Sequence, residues 1–198
     1  MALTLEGKKA LQRARFWVFP LRFSVYTLLL SVAAGHFRRV VENPGLLHAC
    51  AGLFVVMALE RRAIAVDPHA RNADQGSRQL LWAATFAPLL FAFIDQGRLH
   101  LSVAGPDLAP VLVVAGWILL ALGQALRLWA MWALGPFFTD QVKLVEQHQL
   151  ITRGPYRRLA HPAYSGLVLL ATGLLLLPGS GVALAMLLLL LPWALHKR

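Results

Sequence analysis

Five long apolar runs constrain the fold of this chain more than any other feature of its sequence. A membrane-crossing helix needs about 20 mostly apolar residues, and fewer suffice where the bilayer thins or flanking side chains snorkel. The last run contains a Pro-Gly-Ser-Gly turn signal at residues 178–181, which divides it into two short arms. The runs cover residues 16–34, 46–59, 80–94, 108–134 and 163–195. We therefore predict an all-α integral membrane protein of five or six transmembrane helices, ending in a C-terminal helical hairpin.

The composition excludes the other usual classes of basic protein. The chain is 58% hydrophobic and 14% charged, with a formal net charge of +10. A soluble domain is about one quarter charged, and a disordered basic tail is poor in apolar residues. A nucleic-acid-binding domain needs a soluble surface that carries its basic face. The charge therefore indicates a bilayer as partner, and we expect neither nucleic acid nor a metal.

The basic residues predict the topology when they are sorted by loop. If the N-terminus is cytoplasmic, alternate loops place fourteen Lys and Arg residues inside and three outside. Such an excess is typical of cytoplasmic loops, so we predict a multi-pass protein with both termini in the cytoplasm. Tryptophans favour the membrane interface, and five of them fall near the predicted cytoplasmic ends of the runs. These are Trp17, Trp82, Trp129, Trp132 and Trp193.

Arg127 is the charged residue that fits this pattern least well. It lies seven residues before the end of the fourth run, which is about 10 Å along a helix. A charge at that depth is a candidate for function, with Gln124 one turn earlier on the same face. The alternative interpretation is that Arg127 snorkels between Trp129 and Trp132 to the cytoplasmic headgroups.

A long polar segment covers residues 135–162, after the first membrane helices. We divide the chain into the N-terminal membrane helices (1–134) and a second part that contains this segment and the C-terminal hairpin (135–198). Both parts belong to a single membrane domain. His161-Pro162 opens the last apolar run, and proline is favoured in the first turn of a helix. Tyr156, Tyr164 and two arginines cluster around this helix entry. Free N–H groups at a helix start favour a carboxylate or another anion. The segment therefore predicts a cytoplasm-facing ligand pocket at the membrane surface.

Other chemistries find little support in the sequence. The glycine-rich patterns of soluble nucleotide-binding proteins are absent. His148 and His161 have no cysteine or third histidine near them in sequence, which argues against a metal site. The aspartates are dispersed over separate loops, so no Ser-His-Asp triad can be assembled. We therefore assign no catalytic side chain.

Two runs within this part of the chain do resemble a known family. They are His-Gln-Leu-Ile-Thr-Arg-Gly-Pro-Tyr at 148–156 and His-Pro-Ala-Tyr-Ser-Gly at 161–166. Together they resemble the isoprenylcysteine carboxyl methyltransferase family, as does the approach from Leu126-Arg127 through Leu134-Gly135 to Phe138. The resemblance covers about residues 123–198. It implies an S-adenosylmethionine-dependent membrane methyltransferase, acting on a lipidic acceptor that is most simply the carboxylate of an isoprenylcysteine.

The resemblance also implies which residues bind the ligands. Arg127 and Arg198 would contact the substrate. The cofactor site would be formed by Gln141, His148, Gln149, Leu150, Ile151, Tyr156, His161, Pro162, Ala163 and Tyr164. Methyl transfer from a sulfonium depends mainly on positioning donor and acceptor, which agrees with the absence of a visible triad.

Two departures from the family pattern keep alternatives open. Ala160 stands where the family has an arginine before His-Pro. Arg198 falls at the position of a later family arginine, and the paired glutamates that follow it in the family are not in this sequence. Either the sequence is a truncated form or the activity is lost or altered. The alternatives are a phospholipid N-methyltransferase, a non-catalytic membrane protein that keeps the fold, and a reductase-like protein that binds a nicotinamide cofactor.

Overall fold

The computed structural model describes residues 23–60, 77–135 and 153–197 of the chain. Within them helices are joined by turns and loops, and the β-structure is one isolated bridge between Val103 and Ser180. Six of the helices follow the apolar runs, and each run break predicted from the sequence falls between two helices. The seven helices are α1 (Phe23–Ala34), α2 (Phe37–Glu42), α3 (Pro44–Glu60), α4 (Ser77–Ile94), α5 (Ala109–Leu134), α6 (Pro162–Leu176) and α7 (Gly181–His196).

Two of these helices are long and apolar enough to cross a membrane. One is α4 with its π-helical extension, which together cover Gln79–Leu99, and the other is α5. Helices α1, α3, α6 and α7 are apolar but shorter in their described parts. The predicted all-α membrane class is supported to this extent, and the number of crossings stays a prediction.

Loops that the charge pattern assigned to one side of the membrane lie together at one end of the helices. The Arg39 guanidinium donates to the Gly97 carbonyl, and the Asn43 amide donates to the Gln96 side chain at 3.1 Å. The Gln96 amide in turn donates to the Pro178 carbonyl. The segment between α1 and α3, the segment after α4 and the α6–α7 turn are therefore joined, as an alternating course of the helices requires.

A buried carboxylate fixes the α4 end of this assembly. Asp95 is fully buried in the π-helical turn Asp95–Leu99 and accepts three hydrogen bonds. These come from the Ser180 hydroxyl at 2.6 Å, the Ser102 hydroxyl at 2.8 Å and the Leu101 backbone N–H at 2.7 Å. Ser180 is also the N-cap of α7, where its hydroxyl accepts from the Ala183 N–H. Asp95 thus connects the end of α4 to the start of α7.

Glycines bring α5 and α6 into backbone contact. A methyl group built on Gly123 would lie 2.4 Å from the Leu170 nitrogen, and one built on Gly173 would lie 2.5 Å from the Leu120 nitrogen. Such close approach of two helices requires small residues at the interface. Because the pair is this tight, the position of Arg127 on α5 is set directly against the first turn of α6.

Helix α2 was not predicted. Its six residues fall in a segment that the apolar pattern assigned to a loop, and only Val40 in it is buried. A single buried side chain gives no helical periodicity in the sequence, so nothing distinguished this turn of helix from a polar loop.

Candidate functional site

Arg127 forms an ion pair with Glu60 at the end of the helices opposite to Asp95. The Arg127 Nε lies 2.5 Å from the Glu60 Oε1, and the two side chains are 15% and 14% exposed. Glu60 is the last residue of α3, so the pair joins α3 to α5. The snorkelling alternative for Arg127 is wrong in this structure, because the guanidinium is held inside the protein by a carboxylate. Trp129 and Trp132 beside it are exposed, at 53% and 76%.

Arg127 also contacts the first turn of α6. Its Nη1 donates to the Ala163 carbonyl at 3.3 Å. As predicted, α6 begins with Pro162, which is buried, and His161 is the N-cap residue. The His161 side chain makes no capping hydrogen bond, while its carbonyl accepts from the N–H groups of Tyr164 and Ser165. The first turn of α6 is therefore left without a side-chain cap, which suits an incoming anion.

Two tyrosines flank this helix entry. The rings of His161 and Tyr164 are 5.7 Å apart at an interplanar angle of 33°. Burial raises the pKa of the Tyr156 phenol above its ordinary value, the nearby Tyr164 acts in the same direction, and Arg127 opposes them. Tyr156 is therefore neutral at physiological pH and lies within electrostatic reach of both residues. A neutral aromatic ring near such an entry is suited to a ligand cation such as a sulfonium.

The Gly-Pro turn predicted before this entry is present as a 3-10 turn, Gly154–Arg157. It packs on the last turns of α5: a methyl group on Gly154 would lie 3.2 Å from the Ala133 Cβ, and the Arg153 Nε donates to the Ala133 carbonyl at 3.3 Å. Gly154 has a φ of +62°, a conformation that glycine adopts at little cost. The turn therefore lies against α5 shortly before the start of α6.

The structure brings five of the predicted ligand residues to one place. Tyr156, His161, Pro162, Ala163 and Tyr164 surround the start of α6, with Arg127 beside them. The remaining predicted residues lie outside the described residues, namely Gln141, His148, Gln149, Leu150, Ile151 and Arg198. The described half of the predicted site is thus assembled from α5, the 3-10 turn and α6.

Glu60 is a site residue that sequence reasoning missed. The second apolar run ends at residue 59, so the apolar pattern leaves Glu60 just outside it. A carboxylate that ends an apolar helix, in a chain with a deep arginine elsewhere, is the signal that was available. Nothing in the sequence specified which carboxylate would pair with Arg127.

A cavity lies away from this site, at the opposite end of the helices. Its volume is about 540 Å³, and His48, Gln96 and Pro178 are among its lining residues. His48 accepts a hydrogen bond from the Trp117 indole at 3.2 Å. We place the candidate site at Arg127 rather than here, because the charged and aromatic ligand residues lie there.

Comparison with known proteins agrees with the motif. Residues 116–198 match the sequence model of the isoprenylcysteine carboxyl methyltransferase (ICMT) family, and this range contains every predicted site residue. No solved structure gives a significant match to the chain.

Three plant proteins are among its relatives. Two rice proteins, from Oryza sativa subsp. indica and subsp. japonica, are each named "Probable protein-S-isoprenylcysteine O-methyltransferase". Each is 32% identical over 129 residues, which is 62% of this chain and 65% of the rice protein. Protein-S-isoprenylcysteine O-methyltransferase B of Arabidopsis thaliana is 36% identical over 75 residues, covering 35% of this chain and 38% of that protein. The chain thus spans slightly less than two thirds of the length of the rice relatives. The names of these relatives agree with the resemblance that the motif indicated.

Proposed function

We propose that this chain, whose residues 116–198 match the sequence model of the isoprenylcysteine carboxyl methyltransferase family, transfers a methyl group from S-adenosylmethionine to the carboxylate of a membrane-embedded isoprenylcysteine. The observation that carries the proposal is the meeting of Arg127 with the first turn of α6 inside the family-matched region. The contact brings a cation and an uncapped helix start together at the end of two apolar helices.

The residues present fit S-adenosylmethionine. The uncapped first turn of α6, after His161, is suited to the carboxylate of the cofactor. Tyr156 and Tyr164 offer aromatic rings for its sulfonium. Pro162 and Ala163 would line the helix entry, and the predicted contribution of Gln141 and residues 148–151 to the adenine and ribose completes the proposal.

The acceptor carboxylate requires a cationic group, and Arg127 is the residue that we assign to it, together with Arg198. The Nε of Arg127 is used by Glu60 and one Nη1 hydrogen by Ala163, but a guanidinium carries five N–H donors. Glu60 holds the Arg127 side chain in place, and the remaining N–H groups of Arg127 can donate to the acceptor carboxylate. We expect the prenyl chain to stay among the apolar helices, because each buried methylene contributes about 0.8 kcal/mol.

This chemistry needs orientation more than proton transfer. When bound, S-adenosylmethionine supplies an electrophilic methyl group; a carboxylate oxygen of the acceptor forms the new bond to carbon as the carbon–sulfur electron pair returns to sulfur. No proton is released, so no general base is required. The protein's contribution is to hold the carboxylate in line with the methyl group and to keep water away.

Cofactor binding tests the proposal and separates it from the reductase-like alternative. We expect the protein in detergent to bind S-adenosylmethionine by calorimetry and not NADPH. Tyr164→Ala should weaken that binding at least about tenfold through loss of the ring contact. Val111→Ala is the matched control, since Val111 is an exposed α5 side chain at the opposite end. Binding of NADPH instead, or of neither compound in the presence of a prenylated acceptor, would contradict the proposal.

A further inference from the structure

Gln124 is a buried side chain without the hydrogen bonds that its chemistry demands. It lies on α5 and is 3% exposed, yet neither its Oε1 nor its Nε2 has a partner among the described residues. The other buried polar side chains that we describe behave differently: Asp95, Gln96 and Ser180 are all hydrogen-bonded. A buried amide with two unused groups calls for an explanation, above all inside an apolar helix.

The position of Gln124 on α5 places it next to the candidate site. Arg127 follows three residues later on the same face, about 4.5 Å further along the helix axis. Leu120, one turn earlier, contacts Gly52 of α3 and the backbone at Gly173 of α6. Because Arg127 also contacts α3 and α6, through Glu60 and Ala163, Gln124 lies on the α5 face that packs toward those two helices.

We propose that Gln124 is a specificity-determining residue that binds the cysteine unit of the acceptor. This inference rests on the proposed function. Its Oε1 accepts a hydrogen bond from the cysteine N–H, and its Nε2 donates to the thioether sulfur. The two unpartnered atoms are one acceptor and one donor group, and the cysteine unit provides one donor and one acceptor.

The spacing of Gln124 and Arg127 agrees with the size of this unit. Three covalent bonds separate the carboxyl carbon of cysteine from its sulfur, which is about 4 Å in an extended conformation. One turn of α5 separates the two side chains by a similar rise of about 4.5 Å. A carboxylate held by Arg127 therefore leaves the sulfur level with Gln124 and the amide nitrogen, which is two bonds from the carboxyl carbon, between the two side chains, within reach of the Gln124 amide.

Paired acceptors test this inference in the full chain reconstituted in lipid nanodiscs. The first is N-acetyl-S-farnesylcysteine, and the second is the same molecule with hydrogen in place of the acetamido group, which keeps the carboxylate, the sulfur and the prenyl chain. We expect the wild-type protein to favour the first by about tenfold in kcat/KM, the size of effect of one well-made hydrogen bond.

Gln124→Met should remove this preference. The variant should lower kcat/KM about tenfold for the N-acetyl acceptor, because that acceptor loses its amide contact with Gln124. For the acceptor without the acetamido group the decrease should be no more than about twofold, because the weak hydrogen bond to sulfur contributes little. The thermal midpoint of the variant without ligand should be unchanged or higher, because an unpartnered amide has been replaced by an apolar group. Gln124→Leu repeats the test with a different side-chain shape, and Leu122→Met is the control on the exposed side of α5.

The outcomes separate this inference from the proposed function. If the wild-type protein methylates both acceptors and the Gln124 variants reduce both equally, or lower the thermal midpoint, Gln124 is structural and the inference is overturned while the methyltransferase proposal stands. If the wild-type protein methylates neither acceptor, the proposed function fails and the inference with it.

Discussion

Arg127 and Glu60 are 67 residues apart in sequence, and their side chains meet at 2.5 Å with about 85% of each removed from solvent. The contact joins the end of α3 to the turn of α5 that faces α6. Breaking a buried pair by removing one partner leaves the other charge without compensation. The pair therefore both stabilises this end of the helices and fixes the direction of the guanidinium.

Replacement of Glu60 should reveal this double role. We expect Glu60→Gln to lower the free energy of unfolding by about 2–4 kcal/mol, because the Arg127 charge is left largely buried without a counterion. Chemical unfolding followed by tryptophan fluorescence measures the change. Glu42→Gln is the matched control: its pair with Arg38 is exposed and should contribute less than about 1 kcal/mol. Equal losses for the two variants would contradict the assignment of the Arg127 pair as buried.

The α5–α6 contact predicts a second effect that is independent of charge. Gly123→Ala should destabilise the protein by at least about 1–3 kcal/mol, since its methyl group meets backbone atoms that cannot move aside. Gly105→Ala introduces the same group where nothing lies within 4 Å and should change stability by less than about 1 kcal/mol. The comparison is made by thermal unfolding in one detergent. A tolerated Gly123→Ala would mean that the helices are further apart than described.

The Asp95 cluster at the opposite end gives a third prediction. Ser180→Ala removes both the bond to Asp95 and the N-cap of α7, and should reduce the free energy of unfolding by about 2–3 kcal/mol. Ser24→Ala, at an exposed position on α1, should be neutral within about 0.5 kcal/mol. Because Ser180 is remote from Arg127, we also expect Ser180→Ala to retain affinity for S-adenosylmethionine where the protein remains folded.

Tyr156 supplies a prediction about pH. The chain has three tyrosines, so ultraviolet difference titration of the wild-type protein against Tyr156→Phe isolates one phenol. We expect its ionisation above the ordinary value of 10.0, because burial disfavours the charged form. Since the folded pKa exceeds the unfolded one, the contribution of Tyr156 to stability is complete below about pH 10 and declines as the pH rises further. Ionisation of this residue below pH 10 would contradict its described surroundings.

The sequence was informative wherever a local pattern carried the signal. The apolar runs predicted α3, α4 and α5, the Pro-Gly-Ser-Gly signal predicted the turn between α6 and α7, and His161-Pro162 predicted the start of α6. Each of these depends on neighbouring residues alone.

Long-range pairings could not be predicted in the same way. Nothing in the sequence near Arg127 indicates that Glu60 will reach it, since the choice depends on how α3 and α5 align. The same holds for Asp95 and Ser180, which are 85 residues apart. The sequence also could not predict that the Gln124 amide lacks hydrogen-bond partners among the described residues, because this depends on how several helices pack together.

The proposed activity is methyl transfer to the carboxylate of a prenylated cysteine. It is tested most directly by incubating the full chain in nanodiscs with N-acetyl-S-farnesylcysteine, phosphatidylethanolamine and S-adenosylmethionine labelled in its methyl group. A carboxyl methyl ester releases its label as volatile methanol on treatment with base, whereas a methylated amine retains it. We expect base-released label in the prenylcysteine fraction, and we expect Arg127→Met to reduce it strongly. Label that remains in the phospholipid fraction after base, or the absence of transfer in any fraction, would contradict it.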